Sequence, residues 1–209
     1  MIFRSYTAWL VPVALTLLGF GSGASASAQT TYPFEATYNA EITARPIRGN
    51  ISEATDIGES ADASYGLTSW INMNYAEFDP DTGVFTFRPD PATFGLQGLP
   101  IGTLTLSGNG SDKLFGTVSG SVSVNFEKLV GGGSSTITIT GGAGRFNDAT
   151  GTLDLLENAQ LSPDPTAPIQ SRLTVSGSFE AVPEPGAGIG TLVAIGAIGT
   201  GFLLRRRSL

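Results

Sequence analysis

Without a histidine or a cysteine, any chemistry done by this chain falls to carboxylates, hydroxyls, amides and aromatic rings. Ser-His-Asp and Cys-His triads lack their base. Disulfides and Cys- or His-ligated metal sites are excluded as well. Three features remain. The first is Asp79-Pro80-Asp81-Thr82-Gly83, which brings two carboxylates and a carbonyl close together. Hard oxygens of this kind suit Ca²⁺. The distal Glu of a full calcium loop is missing, although Asp90 is near, and a surface hairpin turn is the preferred reading. Apart from this weak Ca²⁺ candidate, no cofactor is expected. The second feature is the abundance of carboxylates, since a glycosidase needs only a pair of them. With 18 Asp and Glu in the chain some pair is inevitable, so no catalytic residue is assigned. The third is Tyr65, Trp70 and Tyr75, whose rings can stack on sugars when exposed. Alternation puts Tyr65 and Tyr75 on one, buried face and Trp70 on the other, which makes Trp70 the candidate for glycan contact.

Charge narrows the partners. The whole chain has a formal charge of −7, but residues 29–182 hold seven basic and seventeen acidic residues, a formal −10. An acidic body repels phosphate backbones, so no nucleic-acid partner is expected.

The elements that must position these residues read as strands. Phe34, Ala36, Tyr38, Ala40 and Ile42 alternate strictly with polar residues. Tyr65, Leu67, Ile71, Met73 and Tyr75 repeat the pattern, as do Leu114, Val118, Val122, Val124 and Phe126. Shorter runs cover 103–107, 136–140, 152–156 and 172–179. Turn signals rich in Gly, Asn and Asp separate them, at 79–83, 108–112 and 131–133. No window between the two ends has a helical period. The expected fold is all-β, an antiparallel barrel or sandwich over residues 29–181. The polar, acidic stretch Gly49–Ala63 reads as a long mobile loop, and Ser162–Pro168 as a second, irregular one.

The ends carry different signals. Arg4, an apolar run from Ala8 to Phe20, and small residues up to Ala28 make residues 1–28 a secretory signal peptide. Ala26-Ser27-Ala28 fits signal peptidase, with cleavage after Ala28. At the other end Gly186–Leu204 is uncharged over 19 residues, long enough as a helix to span a bilayer, and Arg205, Arg206 and Arg207 follow at once. Val182-Pro183-Glu184-Pro185 precedes the span, and its two prolines keep it extended and accessible.

This order of Val-Pro-Glu-Pro, Gly-rich apolar span and terminal Arg cluster closely resembles the PEP-CTERM sorting signal of bacteria that carry an exosortase and produce exopolysaccharide. The resemblance covers residues 182–209. It implies export across the inner membrane, transient anchoring by the C-terminal transmembrane helix, and exosortase recognition of the Pro-Glu-Pro segment. Delivery to the cell surface or extracellular matrix would follow. A plain anchor with an uncleaved tail is the competing reading.

The segment Gly141-Gly142-Ala143-Gly144-Arg145-Phe146-Asn147-Asp148-Ala149-Thr150-Gly151 is the most distinctive of the body. Gly-Gly-x-Gly cradles phosphate where it opens a helix, but here a strand-like run follows and no Lys-Ser/Thr is present. It reads as a tight connection between strands, with Phe146 and Ala149 tucked into the core. It also resembles the Gly-rich turn of the allene oxide cyclase and dirigent β-barrels, which implies a barrel and carries over no catalytic position.

The function expected from these readings is that of an exported surface or matrix protein. Its mature domain is read as a non-enzymatic structural or binding module, with matrix polysaccharide as a candidate partner. The alternative is an extracellular enzyme, carbohydrate-active or a barrel cyclase. An enzyme calls for a concave pocket with convergent carboxylates of perturbed pKa, and a purely structural module for a filled core.

Overall fold

The computed structural model describes residues 29–164 and 166–182. The signal-peptide residues Ala26 and Ala28, the sorting residues Pro183–Pro185 and Arg205–Arg207, and the apolar span 186–204 lie outside the described residues. Among the described residues no helix is long and apolar enough to cross a membrane.

The described residues form nine antiparallel strands in one sheet. They are β1 (Thr30–Arg48), β2 (Ile51–Glu59), β3 (Ser69–Asp79), β4 (Val84–Arg88), β5 (Thr103–Ser107), β6 (Lys113–Asn125), β7 (Val130–Ala143), β8 (Thr150–Gln160) and β9 (Ile169–Ala181). Strand β9 pairs with β1, and β2 pairs with β3, so the sheet closes on itself. Strands β4 and β5 share one position between β3 and β6, β4 opposite Tyr75–Asp79 and β5 opposite Ser69–Met73. The result is a barrel of eight staves, one of them interrupted. Closure leaves no full-length strand edge unpaired, which is the physical advantage of a barrel over a flat sheet.

Residues 89–102 leave the interrupted stave and fold over the outside of the barrel. Phe94, Leu96 and Leu99 pack there against Ile47, Ile51, Met73 and Tyr75. The excursion is pinned at its base by the Gly102 N–H donating to the Pro89 carbonyl at 2.7 Å. The Tyr75 hydroxyl donates to the Pro100 carbonyl at 2.8 Å.

Inside, the barrel has a filled end and an open end. Period-2 alternation turns Phe34, Tyr38, Leu106, Leu114, Val118, Leu153, Leu173 and Phe179 inward, where they are buried. At the filled end Tyr32, Tyr65, Phe146 and Phe179 plug the barrel, with Phe146 and Phe179 edge-on at 5.2 Å between centroids. The Gly-rich segment shapes this plug. A Cβ on Gly142 would overlap the carbonyl oxygens of Phe146 and Lys113, and Gly144 takes a φ of +64° against Asp112. Phe146 and Ala149 are fully buried, as the strand-connection reading requires. Arg145 closes the plug from outside. Its backbone N–H and its Nε both donate to the Asp112 carboxylate, at 2.8 and 2.6 Å, and its guanidinium lies over the Phe146 ring.

Two local expectations are corrected. Residues 51–59, expected within a mobile loop, form β2 and complete the closure. Their inward positions are Ala54, Asp56 and Gly58, so the face that must be buried carries almost no apolar signal. The face assignment over residues 65–75 is also reversed for β3. Trp70, Asn72, Asn74 and Ala76 are the inward-facing set, while Ile71 is exposed and Met73 and the buried Tyr75 face the outer loop. The irregular reading of 162–168 holds where it is described, since no strand includes these residues.

Candidate binding cavity

The open end of the barrel is hollow because its inward positions are small. Ala44 of β1, Ala54 of β2, Ala76 of β3 and Ala159 of β8 all face it. An eight-stave barrel has an interior that large side chains fill and small ones do not. The space left is a cavity of about 380 Å³, at the small end of ligand sites, which run from about 300 to 1,000 Å³. Phe85 and Phe87 of β4 give it an aromatic wall, their rings stacked at 6.4 Å. Phe126, Leu129 and Leu161 stand at the rim, with Phe126 54% exposed.

The floor is polar. Following each strand inward from the mouth, Ala54 gives way to Asp56, Ala76 to Asn74 and then Asn72, Ile169 to Ser171, and Ala159 to Glu157. Glu157 itself lines the cavity. The Asn72 Nδ2 donates to Asp56 Oδ2 at 2.8 Å, and the Ser171 hydroxyl donates to Glu157 Oε1 at 3.1 Å. Asn72 is 1% and Asn74 3% exposed, and the Oδ1 of each has no hydrogen-bond partner among the described residues. Such orphaned acceptors are rare in a folded interior, because each gives up water for nothing.

Burial raises both carboxylates. Asp56 rises from an ordinary 3.8 to about 6, against the opposing hydrogen bond from Asn72. Glu157 rises from 4.5 to about 7, first by burial and then by the charge of Asp56, with the Ser171 bond opposing. Each group therefore exchanges its proton near neutrality, as a general acid or base must. Among the described residues no Lys or Arg lines the cavity, and Asp164 at its rim adds a further acid.

The sequence-based candidates fall elsewhere. Trp70 is fully buried, its ring 5.4 Å from that of Tyr38, so it offers no sugar-stacking face. Tyr65 belongs to the plug and donates to the Pro33 carbonyl at 2.7 Å. Tyr75 lies under the outer loop. Asp79 and Asp81 sit in the β3–β4 hairpin turn, where Asp79 Oδ1 accepts from the Asp81 N–H at 2.9 Å and Oδ2 from the Thr82 hydroxyl at 2.8 Å. The Thr82 bond first, and then the Asp81 bond, hold the Asp79 carboxyl below its ordinary value. Among the described residues no cluster of three or more acidic side chains converges as a metal site would need. Val182, the first sorting residue, donates its N–H to the Asn147 carbonyl at 3.3 Å, which ties the end of the barrel to the plug.

The floor residues Asp56, Asn72, Asn74, Glu157 and Ser171 were not singled out by sequence reasoning. One signal points to some of them. Leu153 and Leu155 are the inward face of β8, and continuing their period by two and four residues reaches Glu157 and Ala159. Comparison of the chain with family models, with curated proteins and with solved structures found no match.

Proposed function

We propose that this chain is an exported surface or matrix protein whose mature barrel binds a small, largely apolar ligand in the open-end cavity. The cavity carries this reading: alanines hold it open, two phenylalanines wall it, and a carboxylate lies within it. The export half rests on the sequence alone. The signal peptide, the Val182–Pro185 segment and the Arg205–Arg207 cluster fit passage across the inner membrane and sorting by an exosortase. In this reading the tail anchors the chain in the membrane before processing, and signal peptidase and exosortase are its processing partners. Matrix polysaccharide remains a candidate partner of the outer surface, since the cavity lining suits hydrocarbon better than sugar.

A second reading has its own observation. Glu157 and Asp56 titrate near neutrality beside a cavity, which is the arrangement an enzyme would use to move a proton on the bound molecule. Chemical change of a bound ligand on incubation would favour that reading, and its unchanged recovery would favour a carrier.

Two measurements test the proposal. Intact mass of the protein recovered from membrane, surface and medium fractions should give a species running from Gln29 to near Pro185 outside the inner membrane. Retention of Arg205–Leu209 in the membrane would sink the sorting half. An apolar fluorescent probe should bind with one-to-one stoichiometry, and Ala159→Phe, which fills the cavity, should abolish that binding while the barrel still melts cooperatively. Equal binding by the filled variant would sink the cavity half.

A further inference from the structure

We propose that the cavity selects amphiphiles with a protonated amine head, the alkyl part against the Phe85–Phe87 wall and the ammonium among Glu157, Asp56 and Asn74. This inference rests on the binding reading above and gives it a ligand class.

Among the described residues, the fully buried side-chain atoms of the polar layer that lack a partner are acceptors. Asn72 Oδ1 and Asn74 Oδ1 have no partner, and each carboxylate has one oxygen bonded to a side chain, Asp56 to Asn72 and Glu157 to Ser171. The fully buried donor without a partner among the described residues is Trp70 Nε1. It belongs to the inward position below Asn72, further from the cavity and against Tyr38. A head group that only donates, with three N–H bonds to give, fits this surface. A carboxylate or phosphate head does not.

Charge points the same way. Glu157 from β8 and Asp164 at the rim line the cavity, Asp56 from β2 lies behind Glu157 close enough to raise its pKa, and among the described residues no basic side chain lines the cavity. Arg45, the base nearest in sequence to Ile42 and Ala44, is paired with Glu53 on the outer surface at 3.1 Å. Buried Asp56 and half-buried Glu157, without a counter-ion among the described residues, cost the barrel stability that apolar residues would add. A cation bound between them offsets that cost, and its charge draws both carboxyls toward their ionised form.

The test uses the exported protein with three probes of equal chain length, decylamine, decanol and decanoate, followed by calorimetry at pH 8 and pH 5. At pH 8 decylamine should bind at least roughly tenfold more tightly than decanol, and decanoate most weakly. At pH 5, where Glu157 and Asp56 hold their protons, the amine advantage should fall by roughly tenfold or more while decanol is unchanged. Glu157→Gln should remove most of the amine preference at pH 8, with Asp56→Asn as a second variant should the first fail to fold. Glu180→Gln, which removes the same charge from the exposed face of β9, should leave it intact. Decanoate binding as well as decylamine, or Glu180→Gln acting as strongly as Glu157→Gln, would overturn the amine inference and leave the cavity reading standing. Failure of all three probes would overturn both.

Discussion

Replacing Glu157 by glutamine should change how stability depends on pH, with a sign set by the burial of its carboxyl. The native pKa of Glu157 is raised from 4.5 to about 7 by burial and by Asp56. A raised carboxyl binds its proton more tightly in the native state than in the unfolded chain. Its contribution is therefore fully present below pH 4.5 and is lost as pH rises through about 7. At about 1.4 kcal/mol per unit, the shift amounts to about 3 kcal/mol, most of which falls between pH 5 and pH 8. For a domain of this size that is a fall in Tm of roughly 5–10 °C. Asp56, raised to about 6, adds a smaller loss in the lower part of the same window. Glutamine keeps the shape and can still accept from Ser171, but it has no charge to bury. Glu157→Gln should thus be the more stable protein at pH 8 by about 2–3 kcal/mol, match the wild type near pH 5, and show less than half its pH slope. Melts followed by circular dichroism at pH 5, 6, 7 and 8 measure this directly. The acids whose pKa values are lowered, Asp79, Asp112 and Asp164, lose their contributions only in more acidic solution and do not blur the window. A wild-type Tm that stays flat or rises from pH 5 to pH 8, or a variant with the wild-type slope, would refute the placement of an uncompensated acid inside the barrel.

Other consequences follow from the plug and the core. Gly142→Ala puts a methyl group onto the carbonyl oxygens of Phe146 and Lys113 and should destabilise the barrel by about 2–3 kcal/mol or more, read from urea midpoints, whereas alanine at Gly141, where a Cβ finds only an ordinary contact with Phe115, should cost far less. After removal of residues 1–28 Trp70 is the single tryptophan, so the processed protein should emit blue-shifted fluorescence that resists acrylamide and is unmoved by the host's polysaccharide. Ready quenching of that emission would contradict the burial of Trp70. Arg145→Ala breaks an ion pair that is half open to water and should cost no more than about 1 kcal/mol, less in high salt, measured as a shift in Tm.

The strands that were legible in sequence are those whose inward face is wholly apolar. The alternation of Phe34, Ala36, Tyr38 and Ala40, and that of Leu114, Val118 and Val122, describe a barrel wall filled from within, and there sequence and structure agree. The Gly142, Gly144 and Gly151 spacing was legible too, because close backbone approach and positive φ leave glycine no substitute. What escaped were β2 and the facing of β3, and both escaped for one reason. Their inward positions at the open end are Ala54, Asp56, Asn72 and Asn74, chosen for space and hydrogen bonding rather than for burial. The apolar residues of β3 were meanwhile turned outward, beneath the 89–102 excursion, where period-2 reasoning takes them for the core. An inward face that departs from the apolar rule on two adjacent staves, and meets Glu157 from β8, weakens the fold at that level, as the orphaned amide oxygens show. Natural barrels accept such a weakness where it serves a site. The misread strands and the cavity are therefore one phenomenon, and the alanines above the polar layer give it a volume open to a ligand.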